Sequence, residues 1–407
     1  METMENNMTK NRKLWLTFFL GLISATGPLS LDMYLPALPS MQITFHTQTS
    51  VIQMSLTFCL IGLAVGQLLV GPLSDHYGRR LPLSIGFAVF ALTSVWIMMV
   101  HSIVLFLILR FIQGLAGSAG QVLSRAVARD LFSGKALTKF FAMLMAVNGV
   151  FPIISPIIGG FLLKFMSWRG IFAVLAVIGV LVVVGIWLTL AETLPKASRS
   201  DQSLFQGFAA MATLFTKRDF ILIALIQGLV FGALFSYISA SSFVFQNFFH
   251  LSAQQFSLLY ALNGLGIIVG NNIPAYLPAR WTSFQILGTA LLAGTGAALV
   301  MVVSLFMAPQ MWLVAVPLFV VVVCIGIVNT IATSIAMNSQ NKNSGSASAV
   351  LGLTMNIIGG IFTPLAGALG ASSYAPMAAL ILISELSGLG LFAFVSKTTK
   401  FHQTHGA

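Results

Sequence analysis

Apolar residues run along this chain in long blocks, and polar residues gather into the short stretches between them. Twelve blocks can be marked, at 14–36, 50–71, 82–100, 103–123, 140–163 and 170–190, then at 220–241, 253–274, 284–306, 311–333, 346–370 and 374–396. Each approaches the ~20 residues that a helix needs to cross a hydrocarbon layer about 30 Å thick. Helix is predicted for all of them, because a lone strand in lipid leaves its backbone unsatisfied. The pattern therefore predicts an all-α polytopic membrane protein with twelve transmembrane helices. The longest polar stretch, Glu192 to Asp219, separates the sixth block from the seventh. It divides the chain into an N-terminal six-helix bundle (1–195), a central loop (196–218) and a C-terminal six-helix bundle (219–407).

An internal repeat supports that division. Asn148, Pro156 and Gly159 of the fifth block recur as Asn356, Pro364 and Gly367 of the eleventh, and Gly62 recurs as Gly270, all at an offset of 208 residues. Composition agrees with a membrane protein: 7% of residues are charged and 57% hydrophobic, where a soluble domain would be about a quarter charged. The net charge of +11 is not a nucleic-acid signal. Seventeen of the 20 Lys and Arg lie in the termini or in loops that alternate to one side; only Lys164 and Arg169 lie in loops on the other side, and Arg110 is inside a span. That asymmetry predicts cytoplasmic termini and a basic face turned to anionic lipid. Cys59 and Cys324 sit inside apolar blocks, so no disulfide is expected. Lys10, Arg12 and Lys13 precede a run too long for a signal peptide, with no small-residue cleavage site after it.

The charges inside the blocks are the candidates for function. Leu14 to Pro36 contains one carboxylate, Asp32. An ionised acid within a span costs about 2.5–3.5 kcal/mol even on lenient scales, so such residues usually face a cavity and act there. Asp32 lies four residues before the end of its block and Arg110 seven after the start of the fourth. At ~1.5 Å per residue those are depths of roughly 6 and 10 Å from the same side. Gln113 follows Arg110 by one turn, and Gly114, Gly117 and Gly120 offer a surface for close packing. The competing reading is an arginine that is purely structural.

Several motifs surround these residues. The second block leads into Gly71-Pro-Leu-Ser-Asp75-His-Tyr-Gly78-Arg79-Arg80, in which Gly71 and Pro72 are expected to end the helix and Gly78 to permit a tight reversal. Asp75 would be a fixed anion for Arg125, for Arg129 or for the start of the eleventh block. The fourth block holds Arg110-Phe-Ile-Gln113-Gly114, and the fifth Pro152-Ile-Ile-Ser155-Pro156-Ile-Ile-Gly159-Gly160. The sixth ends in Leu190-Ala-Glu192-Thr-Leu-Pro195. Together these resemble the major facilitator superfamily. The Asp32-Met-Tyr-Leu-Pro run, Arg125-Ala-Val-Ala-Arg129-Asp130 and Trp168-Arg-Gly-Ile-Phe are similar to its Bcr/CflA drug-resistance branch, closely in the N-terminal half and mainly by topology in the other.

The resemblance implies the major facilitator fold of two pseudo-symmetric bundles and proton-driven efflux of small drugs from a bacterial cytoplasmic membrane. It assigns proton coupling to Asp32, Arg110 and Gln113, and a cytoplasmic gate to Gly71, Asp75, Gly78, Arg79, Arg80, Arg125 and Arg129. Pro152, Pro156, Gly159 and Gly160 would form an antiporter motif, with Ser155 departing from its usual glycine. No cofactor is expected beyond the proton gradient; the partners would be protons, a small-molecule drug and lipid, with no nucleic acid, and the protein a monomer.

A substrate cavity is expected to draw on Tyr34, Asn148, Gln227, Tyr237, Asn263, Asn356 and Glu385, although buried amides serve as readily to join helices. Glu385, near the middle of the last block, could equally be a second protonatable site, a charge for cationic substrates or a neutral hydrogen-bonded acid. A proton symporter importing a nutrient is the alternative within the same fold. An enzyme is disfavoured by the absence of His-Glu-x-x-His, Gly-x-Ser-x-Gly and phosphate-cradling motifs.

Overall fold

The computed structural model describes residues 10–132, 134–195, 199, 214–278, 281–338, 344–370 and 373–398. Lys196, Asp201 and most of the expected central loop lie outside these residues. Twelve long helices are present among the described residues: α1 (Lys10–Asp32), α2 (Thr49–Tyr77), α3 (Arg80–Met99), α4 (Ile103–Leu131), α5 (Gly134–Leu162), α6 (Trp168–Thr189), α7 (Arg218–Phe243), α8 (Ala253–Tyr276), α9 (Ser283–Val303), α10 (Trp312–Asn338), α11 (Ser344–Ala368) and α12 (Ala375–Thr398). They match the twelve apolar blocks one for one. Eleven spans are long and apolar enough to cross a membrane; in α5 the described apolar part, Gly149–Leu162, is shorter than the helix that carries it.

Several helices run past the apolar block that predicted them. The clearest case is α2, which continues through Gly71 and Pro72 to Tyr77, where the sequence predicted a stop at Gly71. A proline removes one backbone donor and leaves the helix intact when packing holds the next turn. The stop comes at Gly78, whose φ of +92° places it in the left-handed region. Its N–H donates to the Ser74 carbonyl at 3.0 Å, a glycine C-cap. Likewise Pro152 and Pro156 both lie inside the single helix α5.

The helices form two compact units, one of residues 1–46 and 58–204, the other of 47–57 and 205–407. In the first, α1 packs on α4 and α5, and α3 on α4 and α6. In the second, α7 packs on α10 and α11, and α9 on α10 and α12. Each pairing recurs six helices later, so the repeat read at an offset of 208 residues is a repeat of packing. The matched glycines share a cause: a Cβ on Gly62 would lie 2.1 Å from the Phe111 carbonyl oxygen of α4, and one on Gly270 would lie 2.0 Å from that of Val323 on α10.

The first unit is cored by Phe19, Leu20 and Ile23 of α1, Phe87 of α3, Leu123 of α4, Phe140 of α5 and Ile186 of α6. Large apolar residues such as Leu92, Trp96, Leu181 and Leu188 are turned outward, as expected where the surrounding solvent is hydrocarbon. The tightest approach in the unit among the described residues joins α5 to the residue that follows α1: a Cβ on Gly159 would stand 1.8 Å from the Met33 carbonyl oxygen. No flexible side chain can yield there, because the obstacle is backbone. Gly159→Ala is therefore expected to lower the stability of the purified protein by about 1–3 kcal/mol, the range for overpacking. Gly296→Ala, which meets nothing within 4 Å, serves as the unaffected control in the same thermal-shift measurement.

Candidate functional site

Arg110 is the largest fully buried side chain among the described residues, with no exposed surface. It sits on α4, facing α1, and its guanidinium is enclosed by groups from several elements. One Nη donates to the Gln113 side-chain oxygen a turn away. The other donates to the Ser30 carbonyl of α1 at 3.2 Å. The ring of Tyr34, in the turn after α1, lies under the guanidinium at 4.5 Å, and that of Phe172 on α6 at 5.8 Å. Gln113 passes the interaction on: its amide donates to Ser94 of α3 at 2.7 Å, and Ser94 donates to the Phe90 carbonyl at 2.7 Å.

Behind the two rings stands an aromatic wall. Phe106 meets Phe172 at 6.0 Å, and Phe45 meets Phe106 at 5.3 Å and Trp168 at 5.4 Å. The cation is thus sandwiched between a polar chain on one side and π faces on the other. Each such cation–π contact contributes about 1–2 kcal/mol when desolvated.

Asp32 is the last residue of α1, two beyond Ser30, and is 8% exposed. The sequence placed Asp32 and Arg110 at similar depths, and the Ser30 carbonyl bonded to Arg110 fixes how near that end of α1 comes. Tyr34, named from the sequence as a cavity residue, is fully buried against Arg110. Of the glycines beside Arg110, Gly114 permits the closest approach: a Cβ there would meet the Cys59 carbonyl oxygen of α2 at 2.2 Å.

A second charged site lies around Gly78. Arg79 reaches Asp75 of its own chain segment at 2.5 Å and Asp130 at the end of α4 at 3.1 Å. It also donates to Ser74 at 2.7 Å. The cation beside Asp75 is therefore Arg79, not Arg125 or Arg129, whose side chains are exposed. The geometry favours Arg79 because the reversal at Gly78 swings it back over the last turn of α2. Half of the Asp75 side chain is exposed while that of Asp130 is only 12% exposed. The Asp130 pair is the better screened from water and the stronger of the two.

Glu192, in the strand of chain leaving α6, closes this site. Its carboxylate accepts from the backbone N–H groups of Arg79 at 2.8 Å, Arg80 at 3.2 Å and Leu194 at 3.0 Å. It thereby caps the N-terminal end of α3, where a negative charge is favourable. It also lies directly over Gly78, where a Cβ would fall 2.4 Å from its Oε2. The neighbouring Thr193 donates to Asp130 at 2.9 Å. Arg80 donates to the Trp187 carbonyl at 2.7 Å and stacks on that ring at 4.3 Å. Sequence reading quoted Asp130 and Glu192 only as motif letters. The available signal was two acids at helix ends on the side that carries nearly all the basic residues.

Among the remaining candidates, Gln227 of α7 donates to Asn329 at 2.7 Å and Thr333 at 2.9 Å, both on α10. Thr330 of the same helix donates to the Asn271 carbonyl of α8 at 3.1 Å. A polar layer thus links α7, α8 and α10. Tyr237 stacks on Tyr260 at 5.5 Å, Asn263 donates to the Leu259 carbonyl at 3.1 Å, and Asn356 is half-buried on α11. Glu385 is buried within the second unit. The side chain of Asn148 lies outside the described residues. Between the two prolines of α5, Ser155 donates to the Phe151 carbonyl at 2.5 Å.

Apolar helices of membrane-spanning length in two units that repeat one packing plan define a multi-pass membrane protein. The chain belongs to the major facilitator superfamily, whose family model matches residues 15–364. Membership makes it a transporter of small molecules and not an enzyme. Similar proteins include an uncharacterized MFS-type transporter, YdgK, of Bacillus subtilis (38% identical, over 97% of this chain and 98% of the relative). Others are a bicyclomycin resistance protein homolog of Haemophilus influenzae (27%, 90% and 94%) and multidrug resistance protein D of Escherichia coli K12 (26%, 93% and 95%). These relatives agree with the Bcr/CflA resemblance. Among solved structures, a bacterial homolog of the human lysosomal transporter Spinster superposes with a TM-score of 0.77 at 15% identity, covering 98% of this chain and 100% of that one. At that identity the likeness concerns the fold alone.

Burial would raise the Glu192 carboxyl, but the N–H groups of Leu194, Arg79 and Arg80, with the Arg199 guanidinium, outweigh it and hold the group below its ordinary value of 4.5. Its folded form thus binds protons less readily than its unfolded form. The stabilisation is full above pH ~4.5 and is lost as pH falls through the depressed folded value. Thermal unfolding measured against pH should show the wild type more stable than Glu192→Gln near neutrality. The two curves should converge in acid.

Proposed function

We propose that this chain is a proton-coupled exporter of small lipophilic drugs, working by alternating access as a monomer in a bacterial cytoplasmic membrane with both termini cytoplasmic. The observation that supports this reading most is the enclosure of Arg110 beside the end of α1 that carries Asp32. A carboxylate near a buried guanidinium is subject to two opposed pressures: burial favours its neutral form, and the cation favours the charged one. A group balanced in that way can change protonation state when its surroundings change between outward and inward access. Asp32 takes a proton from the outer side and gives it up inward as drug binds, so that drug and proton compete.

Arg110 and Gln113 position the charge in this scheme. Asp75, Gly78, Arg79 and Arg80, with Gly71, Arg125 and Arg129 around them, form the cytoplasmic latch, and Pro152, Pro156, Gly159 and Gly160 bias α5 toward exchange rather than co-transport. Polar contacts to substrate fall to Asn148, Gln227, Tyr237, Asn263 and Asn356. The proton gradient is the only energy source: each charge carried through the field supplies ~2.3 kcal/mol per 100 mV. The names of the bicyclomycin and multidrug resistance relatives support a drug as cargo.

The direct test is growth of an efflux-deficient host expressing the chain on a drug panel, with and without a protonophore. Raised resistance that the protonophore abolishes is expected; resistance to no compound removes the export reading. In energised vesicles, Asp32→Asn should bring proton-driven export to the level of empty vesicles while retaining substrate binding, and wild-type rates from it refute the assignment. Arg110→Ala should insert normally and fail to transport. A pH change of the opposite sign on adding substrate identifies a symporter.

A further inference from the structure

Glu385 stands apart from both charged sites. It is the eleventh of the 24 residues of α12, so it lies about 15 Å along the helix from its start. Its side chain is 1% exposed, and neither carboxylate oxygen has a hydrogen-bond partner among the described residues. It points at α9 and α10: a Cβ placed on Gly294 would lie 2.9 Å from its Oε2 and 3.3 Å from the Cβ of Cys324. The absent side chain at Gly294 makes the space that the carboxyl group occupies.

Among the described residues no countercharge is at hand. Between Asp219 and Ser396 the only Lys or Arg are Arg280 and Lys342, both outside the described residues. The helices packed on α12 are α7, α9 and α11. Neither α9 nor α11 contains a titratable side chain. On α7, Arg218 and Asp219 are in the first turn, and Tyr237 is stacked on Tyr260. Arg218 lies over Phe394, 5.8 Å from its ring and nine residues beyond Glu385. From α10 the only titratable group facing it is the Cys324 thiol.

An ionised carboxylate without partner or countercharge in such surroundings carries a heavy desolvation penalty, which uptake of a proton removes. A metal cation is a poor alternative, since hard cations require a shell of about six oxygens. The adjoining groups here are a glycine and a thiol. A neutral acid serving only structure would donate its hydroxyl to an acceptor, as buried polar groups nearly always do; Glu385 has none.

We propose that Glu385 is a second proton-binding site, housed wholly within the second unit and separate from the Asp32–Arg110 site, which exchanges its proton with solvent. The inference does not depend on the direction of transport or on the nature of the cargo.

The test uses the full-length protein in lipid nanodiscs and dicyclohexylcarbodiimide, a hydrophobic reagent that adds to neutral buried carboxyl groups. Adducts are located by mass spectrometry from about pH 4 to about pH 10, a range that starts near the ordinary carboxylate value and runs well above it. An adduct at Glu385 at neutral pH, with a yield that falls as pH rises, is the expected result. The Glu385→Gln variant keeps the shape of a neutral acid, and its infrared spectrum at neutral pH should lack one carboxylic-acid carbonyl band that the wild type shows. Absence of that adduct across the range, a yield indifferent to pH, or identical infrared bands in both proteins would each overturn the proposal. Gly294→Ala supplies a second variant, expected to cut labelling by crowding the carboxyl group; unchanged labelling there counts against the geometry assigned.

Discussion

A guanidinium held at lipid depth dictates much of the first unit. Removing Arg110 from water is unfavourable, and nothing in hydrocarbon compensates for it. The protein must surround the cation on every side. Ser30 and Tyr34 come from α1 and the turn that follows it, Ser94 and Phe90 from α3, Gln113 and Phe106 from α4, and Phe172 from α6. Four of the six helices are thereby positioned with respect to one side chain. The hydrophobic effect can gather helices in water, but it does not order them within a lipid layer. Directed polar contacts of this kind carry the specificity instead.

The ends of the same helices are fastened by separate means. Arg169, which the charge pattern left as an exception to the one-sided distribution, donates to the Met98 carbonyl at 2.9 Å and to that of Val100 at 3.2 Å. It satisfies the free carbonyls at the C-terminal end of α3 from the start of α6. At the opposite end of α3, Glu192 satisfies free N–H groups. A cation at one terminus and an anion at the other both follow the sign of the helix dipole. The segments flanking α6 thus cap α3 at both ends, and this pair is tied together along its length.

What sequence could and could not reveal follows from the range of each force. Burial in lipid is a property of composition, so the apolar blocks located all twelve helices. The polar ends of α2 and α4 were missed because lipid does not decide them. The run through Pro72 to Tyr77 and the extension of α4 to Leu131 depend on neighbouring chain. Arg110 was legible because charge is rare inside a span, and Gln113 because it follows Arg110 by one turn. The partner of Asp75 was not, since Arg79 reaches it only after a reversal at Gly78 whose direction no spacing rule fixes. Tyr34 was named from the sequence only as a cavity residue, and its place under a cation is a fact of three dimensions. In the second unit, the amides Gln227, Asn271 and Asn329 carry no charge to mark them, and of the layer they form only Gln227 stood out in the sequence.

The contact between Gly159 and the Met33 carbonyl has a mechanical corollary. At this point the two segments touch backbone to backbone, with no side chain between them to act as a bearing. Sliding one past the other by even a fraction of a turn would drive a carbonyl into a methylene. A shift in the tilt of the fifth helix therefore bears first on Met33, whose neighbour in the chain is the acid itself.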